Sequence, residues 1–195
     1  MKNAKELIDY ATKAPSGHNS QPWKFTIEEN TIAIHPDFSC ALPVVDPDYR
    51  ELFISLGCAA QNICIAAAHF AYQCHWQIKQ NPQGGHTIVT TFNENHSIAK
   101  ERLFAFIDKR QTNRSTYTGK SVDNKIVAEL QTIADDNHIG IYAFQNGEAH
   151  FQTLKAAILE GNAIQMNDAE FKKELLAWIR FNQREVNKLQ NGLTY

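Results

Sequence analysis

Residues 14–25 read Ala14-Pro15-Ser16-Gly17-His18-Asn19-Ser20-Gln21-Pro22-Trp23-Lys24-Phe25. A helical pattern stops at Ala14 and a strand pattern starts at Trp23. Between them Ser16, His18, Asn19, Ser20 and Gln21 can all donate or accept hydrogen bonds. Gly17 permits a tight backbone path and close approach to a ligand. Pro15 and Pro22 push the residues before them toward extended conformations. A polar loop between two rigid elements suits a planar polar ligand. By composition alone, an ordinary helix-to-strand connection explains it as well and is the commoner case.

Upstream, Ala4, Leu7, Ile8 and Ala11 have helical spacing. Downstream, 23–27 and 31–35 read as strands joined by a turn at Glu28-Glu29-Asn30, a hairpin. Asp46 is a good N-cap and Pro47 suits a first helical position, so a long helix is expected over 48–72. Leu52, Phe53, Leu56, Ala59, Ala60, Ile63, Cys64, Ala67 and Phe70 give it a wide apolar face. At ~37 Å, such a helix belongs in a core or an interface. Arg50, Glu51, Gln61, Asn62 and His69 argue against a membrane span. Strands over 74–78 and 87–92 follow, with Asn81-Pro82-Gln83-Gly84-Gly85 turning between them. No Lys-Ser/Thr follows these glycines, so a phosphate loop is not expected there. Helices are then expected over 98–110, 123–136, 148–160 and 169–189, with a short strand at 139–144. Paired strands followed by helices, without β-α-β alternation, predict an α+β fold: an antiparallel sheet flanked by helices, the 48–72 helix at its centre.

Composition narrows the function classes. The chain has 195 residues, 43% hydrophobic and 21% charged, which is globular. A net charge of −2 gives no reason to expect nucleic acid or an anionic membrane as partner. No signal-peptide core follows Met1, so a cytoplasmic location is expected. Cys40, Cys58, Cys64 and Cys74 form no C-x-x-C pair, and structural disulfides are not expected. The eight histidines show no paired ligand spacing, so no metal site is expected.

A second informative stretch is Lys109-Arg110-Gln111-Thr112-Asn113-Arg114-Ser115-Thr116-Tyr117. Two arginines four apart with a hydroxyl between them can hold a phosphate through guanidinium forks. A solvated basic helix end explains the same residues equally well.

Taken together, Pro15-Ser16-x-x-Asn19-x-Gln21-Pro22-Trp23-x-Phe25 resembles the signature loop of the FMN-dependent nitroreductase family. The run from Asp48 through Gly57-Cys58-Ala59-Ala60-Gln61-Asn62-Ile63 resembles the family's long central helix, which forms its dimer interface. Arg110-x-Thr112-x-Arg114 resembles the family's phosphate arm. Here the arm follows the loop instead of preceding it, an order similar to the Acg-like branch, in which two degenerate halves are fused in one chain. The resemblance implies a first nitroreductase-like half at 1–97 and a partial second half at 98–195, the chain spanning rather more than half of the fused architecture. It implies that Ser16, His18, Asn19 and Gln21 face the FMN ring system, while Arg110, Thr112, Asn113 and Arg114 hold its phosphate. His18 occupies a variable position of the motif.

Two function classes follow from the resemblance. The favoured one is an oxidoreductase moving hydride or electrons from NAD(P)H to a nitroaromatic, quinone or similar acceptor. The cofactor carries the hydride, so no catalytic side chain is required, and no Rossmann glycine turn is needed for NAD(P)H. The alternative is a non-catalytic flavin-binding or flavin-sequestering protein. An unfinished second half would leave apolar helix surface uncovered, so a homodimer is expected.

Overall fold

The computed structural model describes residues 1–80, 85–133 and 139–194. In chain order its elements are α1 (Ala4–Ala11), β1 (Trp23–Glu28), β2 (Thr31–Pro36), α2 (Arg50–His69), β3 (Tyr72–Gln80), β4 (His86–Glu94), α3 (Asn124–Gln131), α4 (Ala149–Asn167), α5 (Ala169–Trp178), β5 (Ile179–Arg180), α6 (Gln183–Leu189) and β6 (Leu193–Thr194). Short 3-10 turns occupy Gly17–Asn19, Phe38–Cys40 and Arg102–Phe106. The chain divides into two compact units. Met1–Thr112 with Glu170–Tyr195 form one, and Asn113–Ala169 the other.

In the first unit, β1 through β4 form an antiparallel sheet in the order β1-β2-β4-β3. Both hairpins expected from alternation are present, and β2 pairs with β4 to join them, with Ile34 opposite Ile88. Successive strand residues point to opposite faces, so Ile32, Ile34, Ile88, Thr90 and Phe92 share one buried face. The Thr90 hydroxyl, fully buried, donates to the Ile32 carbonyl at 2.9 Å, which satisfies it.

Against this face lies α2, which packs on α1, β2, β3 and β4. Leu56, Ala59, Ile63, Ala66 and Ala67 have no exposed surface. Its length and hydropathy would suit a membrane span, but more than half of its apolar window is buried inside the protein, as in a core helix. The small residues of α2 let α1 approach closely, and Leu7 and Ala11 of α1 are likewise fully buried.

Several boundaries differ from expectation. The central helix begins at Arg50 and ends at His69, two or three residues short at each end. Asp46 is not its N-cap, nor Pro47 its first residue. Tyr49 takes the cap position in a left-handed conformation, with φ 59°. The buried Asp46 carboxylate instead reaches forward and accepts the N–H groups of Glu51 and Leu52, both at 2.9 Å. This satisfies two of the orphan donors of the first turn from outside the helix.

The helix expected over 98–110 is only the 3-10 turn at Arg102–Phe106. Its anchors are Phe104, stacked on His69 at 3.9 Å, and the buried Ile107. Their spacing of three matches one 3-10 turn, while Leu103 and Phe106 stay exposed. No strand forms at 139–144, where no partner strand offers a ladder among the described residues. The 169–189 helix is interrupted. Asn182 caps α6 by accepting the Glu185 N–H at 3.0 Å, and the Glu185 carboxylate accepts the Phe181 N–H at 3.0 Å. This reciprocal cap starts a new helix where one continuous helix was expected.

Cys64 and Cys74 are paired as a disulfide with Cα atoms 5.2 Å apart, which corrects the expectation of free thiols. The chain turns at Ala71, with φ 61°, and folds β3 back under the end of α2. The turn at 81–84 and the end of the helix expected to reach 136 lie outside the described residues.

In the second unit, Asp123 caps α3 by accepting the Lys125 N–H at 2.8 Å, as expected. Helix α4 is longer than the expected 148–160. Neither helix has a buried residue, and Ile126, Leu130, Ile158, Leu159 and Ile164 are all exposed.

The burial of α2 yields a direct test. Leu56→Ala should lower stability by about 2–5 kcal/mol. Ile54→Ala, at a position of the same helix that is 50% exposed, should change it by less than ~0.5 kcal/mol. Urea unfolding followed by circular dichroism reads both.

Candidate functional site

The loop after α1 is held in an uncommon backbone shape. Ser16 is extended, Gly17–Asn19 make a 3-10 turn, and His18, Asn19 and Gln21 have φ of 49°, 52° and 53°. Left-handed conformations are disfavoured for residues with a Cβ, and at over-determined sites each costs roughly 1–3 kcal/mol. Within the loop, the Ser16 hydroxyl oxygen accepts the Gln21 N–H at 3.0 Å. The Asn19 N–H donates to the Ser16 carbonyl at 3.0 Å, and the Ser20 N–H to the Gly17 carbonyl at 2.9 Å. Pro22 and Trp23 are buried and anchor the exit.

Gly17 does make a close approach, but to the chain itself. A Cβ there would lie 3.0 Å from Leu42 Cδ1 and 3.2 Å from Glu51 Oε2. The space beneath the loop, between Gly17, Ser20, Leu42 and Ser55, is about 10 Å³, room for no more than a water. Anything larger must meet the loop from its outer side, where Asn19 is exposed and Ser16, His18 and Gln21 are half-buried.

On that side lies a segment that sequence reasoning did not connect with the loop. The Asn19 amide Nδ2 donates to the Gly192 carbonyl at 3.0 Å, and the Gly192 N–H donates to the Asn19 carbonyl at 3.0 Å. The Gln21 amide Nε2 donates to the Gln190 carbonyl at 2.6 Å. Arg180 holds this segment. Its guanidinium donates to the Asn191 carbonyl at 3.1 Å, to Asn191 Oδ1 at 2.8 Å and to the Ala177 carbonyl at 2.8 Å. It also lies over the Trp178 ring at 5.6 Å. Farther along α5, the Glu174 carboxylate accepts the Val44 and Val45 N–H groups at 3.0 and 3.1 Å. Backbone carbonyls carry no residue signature, so only Gly192 left a mark of this contact in the sequence.

The other end of the loop leads to Arg110. The Lys13 ammonium, at the foot of α1, is bonded to the Asp108 carboxylate, which raises the lysine pKa. The Lys13 carbonyl accepts from Arg110 Nη2 at 3.3 Å. Arg110 also acts on Cys58 of α2: burial pushes that thiol's pKa up, and the arginine charge opposes the rise. Arg110 is therefore anchored three residues before Ser16. The structure brings Ser16, His18, Asn19 and Gln21 into one loop, with Arg110 at its entry. Thr112 ends the first unit, whereas Asn113 and Arg114 open the second, where the Asn113 side chain accepts the Ser115 N–H at 2.9 Å.

No family model matches the chain. Over 174 residues it is 24% identical to a Mycobacterium tuberculosis protein named "Putative NAD(P)H nitroreductase Rv3131", an alignment covering 88% of this chain and 49% of the relative. It is 24% identical over 183 residues to "Putative NAD(P)H nitroreductase acg" of the same organism, covering 89% and 53%. Over 189 residues it is 24% identical to "Probable NAD(P)H nitroreductase PigM" of a Serratia species, covering 92% and 52%. The chain thus spans about half the length of the curated relatives it matches. These similarities support kinship with the nitroreductases.

Beyond the loop's exit, the Asp37 N–H donates to the Pro22 carbonyl at 2.9 Å. The Asp37 carboxyl is held below its usual range, first by the Ser39 hydroxyl and then by Lys24, 2.9 Å away. A lowered folded-state pKa stabilises above the ordinary carboxylate range and is lost as pH falls through the folded value. Asp37→Asn removes this contribution. Its stability deficit should be full at neutral pH and shrink on acidification below the ordinary aspartate range, read by urea unfolding at a series of pH values.

Proposed function

We propose that the chain is part of an FMN-dependent oxidoreductase that takes hydride from NAD(P)H and passes electrons to a nitroaromatic, quinone or similar acceptor. The observation that carries this reading is the 16–21 loop, whose amides and hydroxyl are fixed in a strained shape with Arg110 anchored at its entry. The relatives' names support the same direction.

The donor set fits the cofactor. The Asn19 and Gln21 amides supply both N–H and C=O, which suit the alternating acceptors and donors at the edge of a flavin ring. Ser16 holds the Gln21 backbone, and through it the amide. His18 flanks the ring from a variable position. The Arg110 guanidinium suits a phosphate, as a charge-assisted bond. Thr112, two residues on in the same unit, is assigned to the same phosphate. When bound, FMN supplies the hydride chemistry, and the protein's share is to orient the ring and set its electrostatics. No side chain of this chain is assigned a proton or a nucleophile.

Titration of FMN by fluorescence quenching, with NADPH added under anaerobic conditions at saturation, tests the reading. Arg110→Ala should lose about 1.5–3 kcal/mol, or ten- to a hundredfold in affinity. Lys24→Ala, 66% exposed on the strand beyond the loop, should bind as the parent does. Bleaching on NADPH addition supports the oxidoreductase. Yellow that persists supports the flavin-sequestering reading, and absence of FMN binding removes both.

The assignment includes a homodimer. Trp76 and Ile78 of β3 are more than half exposed, and apolar surface of this kind commonly meets a partner. Sedimentation at micromolar concentration should show twice the chain mass of 22.1 kDa. A single monomeric species would remove the dimer from the proposal.

A further inference from the structure

We infer that Arg180 and the segment 190–192 are the positioning element of the 16–21 loop, setting its amides for a ligand. The ligand half of this inference rests on the flavin reading above; the mechanical half does not.

Three non-glycine residues of the loop, His18, Asn19 and Gln21, are left-handed. Such a shape persists only when surrounding contacts over-determine it. The Ser16 hydroxyl provides one internal hold. The external side-chain and reciprocal backbone holds on Asn19 and Gln21 come from Gln190 and Gly192. Both amide nitrogens spend one N–H on a backbone carbonyl of that segment. This fixes which way each amide faces, and leaves each with a second N–H and its oxygen to offer.

The segment is itself built rigidly. Gln190 is left-handed at φ 54°, and Gly192 has φ 84°. A Cβ at Gly192 would lie 2.4 Å from the Trp178 carbonyl oxygen and 2.7 Å from the Arg180 guanidinium. Arg180 is only 8% exposed, and the groups that accept its N–H donors are the Ala177 and Asn191 carbonyls and the Asn191 amide oxygen, none of them a carboxylate. A buried cation held this way is costly and needs good geometry. Both ends of the Asn191 unit, its carbonyl and its side-chain oxygen, are gripped. Arg180 thus acts on the loop through Asn191 and its two neighbours, as a positioning residue.

The test uses the full chain with Gly192→Ala, Arg180→Gln, Arg180→Lys and the milder Asn191→Ala, each checked for folding by circular dichroism. Hydrogen–deuterium exchange without ligand should rise at least tenfold for the amides of Asn19, Ser20 and Gln21 in the first two variants, while α2 amides stay unchanged. FMN affinity should fall at least tenfold in the same variants, with Arg180→Lys and Asn191→Ala between them and the parent. The absorption band of bound FMN should shift relative to the parent, a signature that mere loss of stability does not produce. If the parent binds FMN and the folded variants show the parent's loop exchange, or bind FMN with the parent's affinity and band position, the positioning role is overturned and the flavin reading stands. If the parent does not bind FMN, the flavin reading falls and the ligand half of this inference falls with it. The exchange arm alone then decides the mechanical half.

Discussion

The burial of α2 is the constraint from which the first unit follows. A twenty-residue helix with little polar surface on its inner sides cannot be stable in water alone. It needs apolar partners on more than one flank. The sheet supplies one through Ile32, Ile34, Ile88 and Phe92, and α1 supplies another through Leu7 and Ala11. Once α1 is laid on α2, the position where α1 must end is fixed. The chain leaves there as the 16–21 loop, above the first turns of α2, where Gly17 is pressed against Glu51. The polar groups of the loop are thus placed by an apolar interaction beneath them.

The same packing explains the loop's polarity. Its inner side has no room, since Leu42, Ser55 and the Asp46 carboxylate already fill the space under it. Its hydrogen-bonding groups therefore turn to Ser16 inside the loop, to the carbonyls of 190 and 192 outside it, and to whatever binds there. Arg110 reaches the same region by a separate route, through Ile107 in the core and the Lys13–Asp108 pair.

How far this was legible in the sequence depends on the range of the interaction. The hairpins were readable because alternation at Ile32, Ile34 and Ile88 is local, and so was the apolar girth of α2. The start of α2 is not legible in the sequence, because its first N–H groups are satisfied by Asp46 from beyond a left-handed Tyr49, a geometry that ordinary capping rules do not encode. The break at Asn182 was present in the sequence as Asn182-x-x-Glu185, but was masked by the apolar residues around it. The Cys64–Cys74 pairing depends on where α2 ends and the chain reverses at Ala71, which spacing does not give. In the candidate site, Ser16, Asn19 and Gln21 announced themselves by type. The contribution of 190–192 did not, because it is made by main-chain carbonyls.

The bonds between Asn19 and Gly192 join residues 173 positions apart. During synthesis the sheet and α2 have all their parts once Glu94 has emerged, whereas the loop must wait for the last of its contacts. Long-range contacts of this kind form late, after the entropy of closing a long intervening chain has been met. A nascent chain would therefore carry a paired sheet and α2, completed as a core once Ile107 has emerged, and an unset loop until Gly192 has been made. The shape of the loop then reports whether the chain has been completed through Gly192.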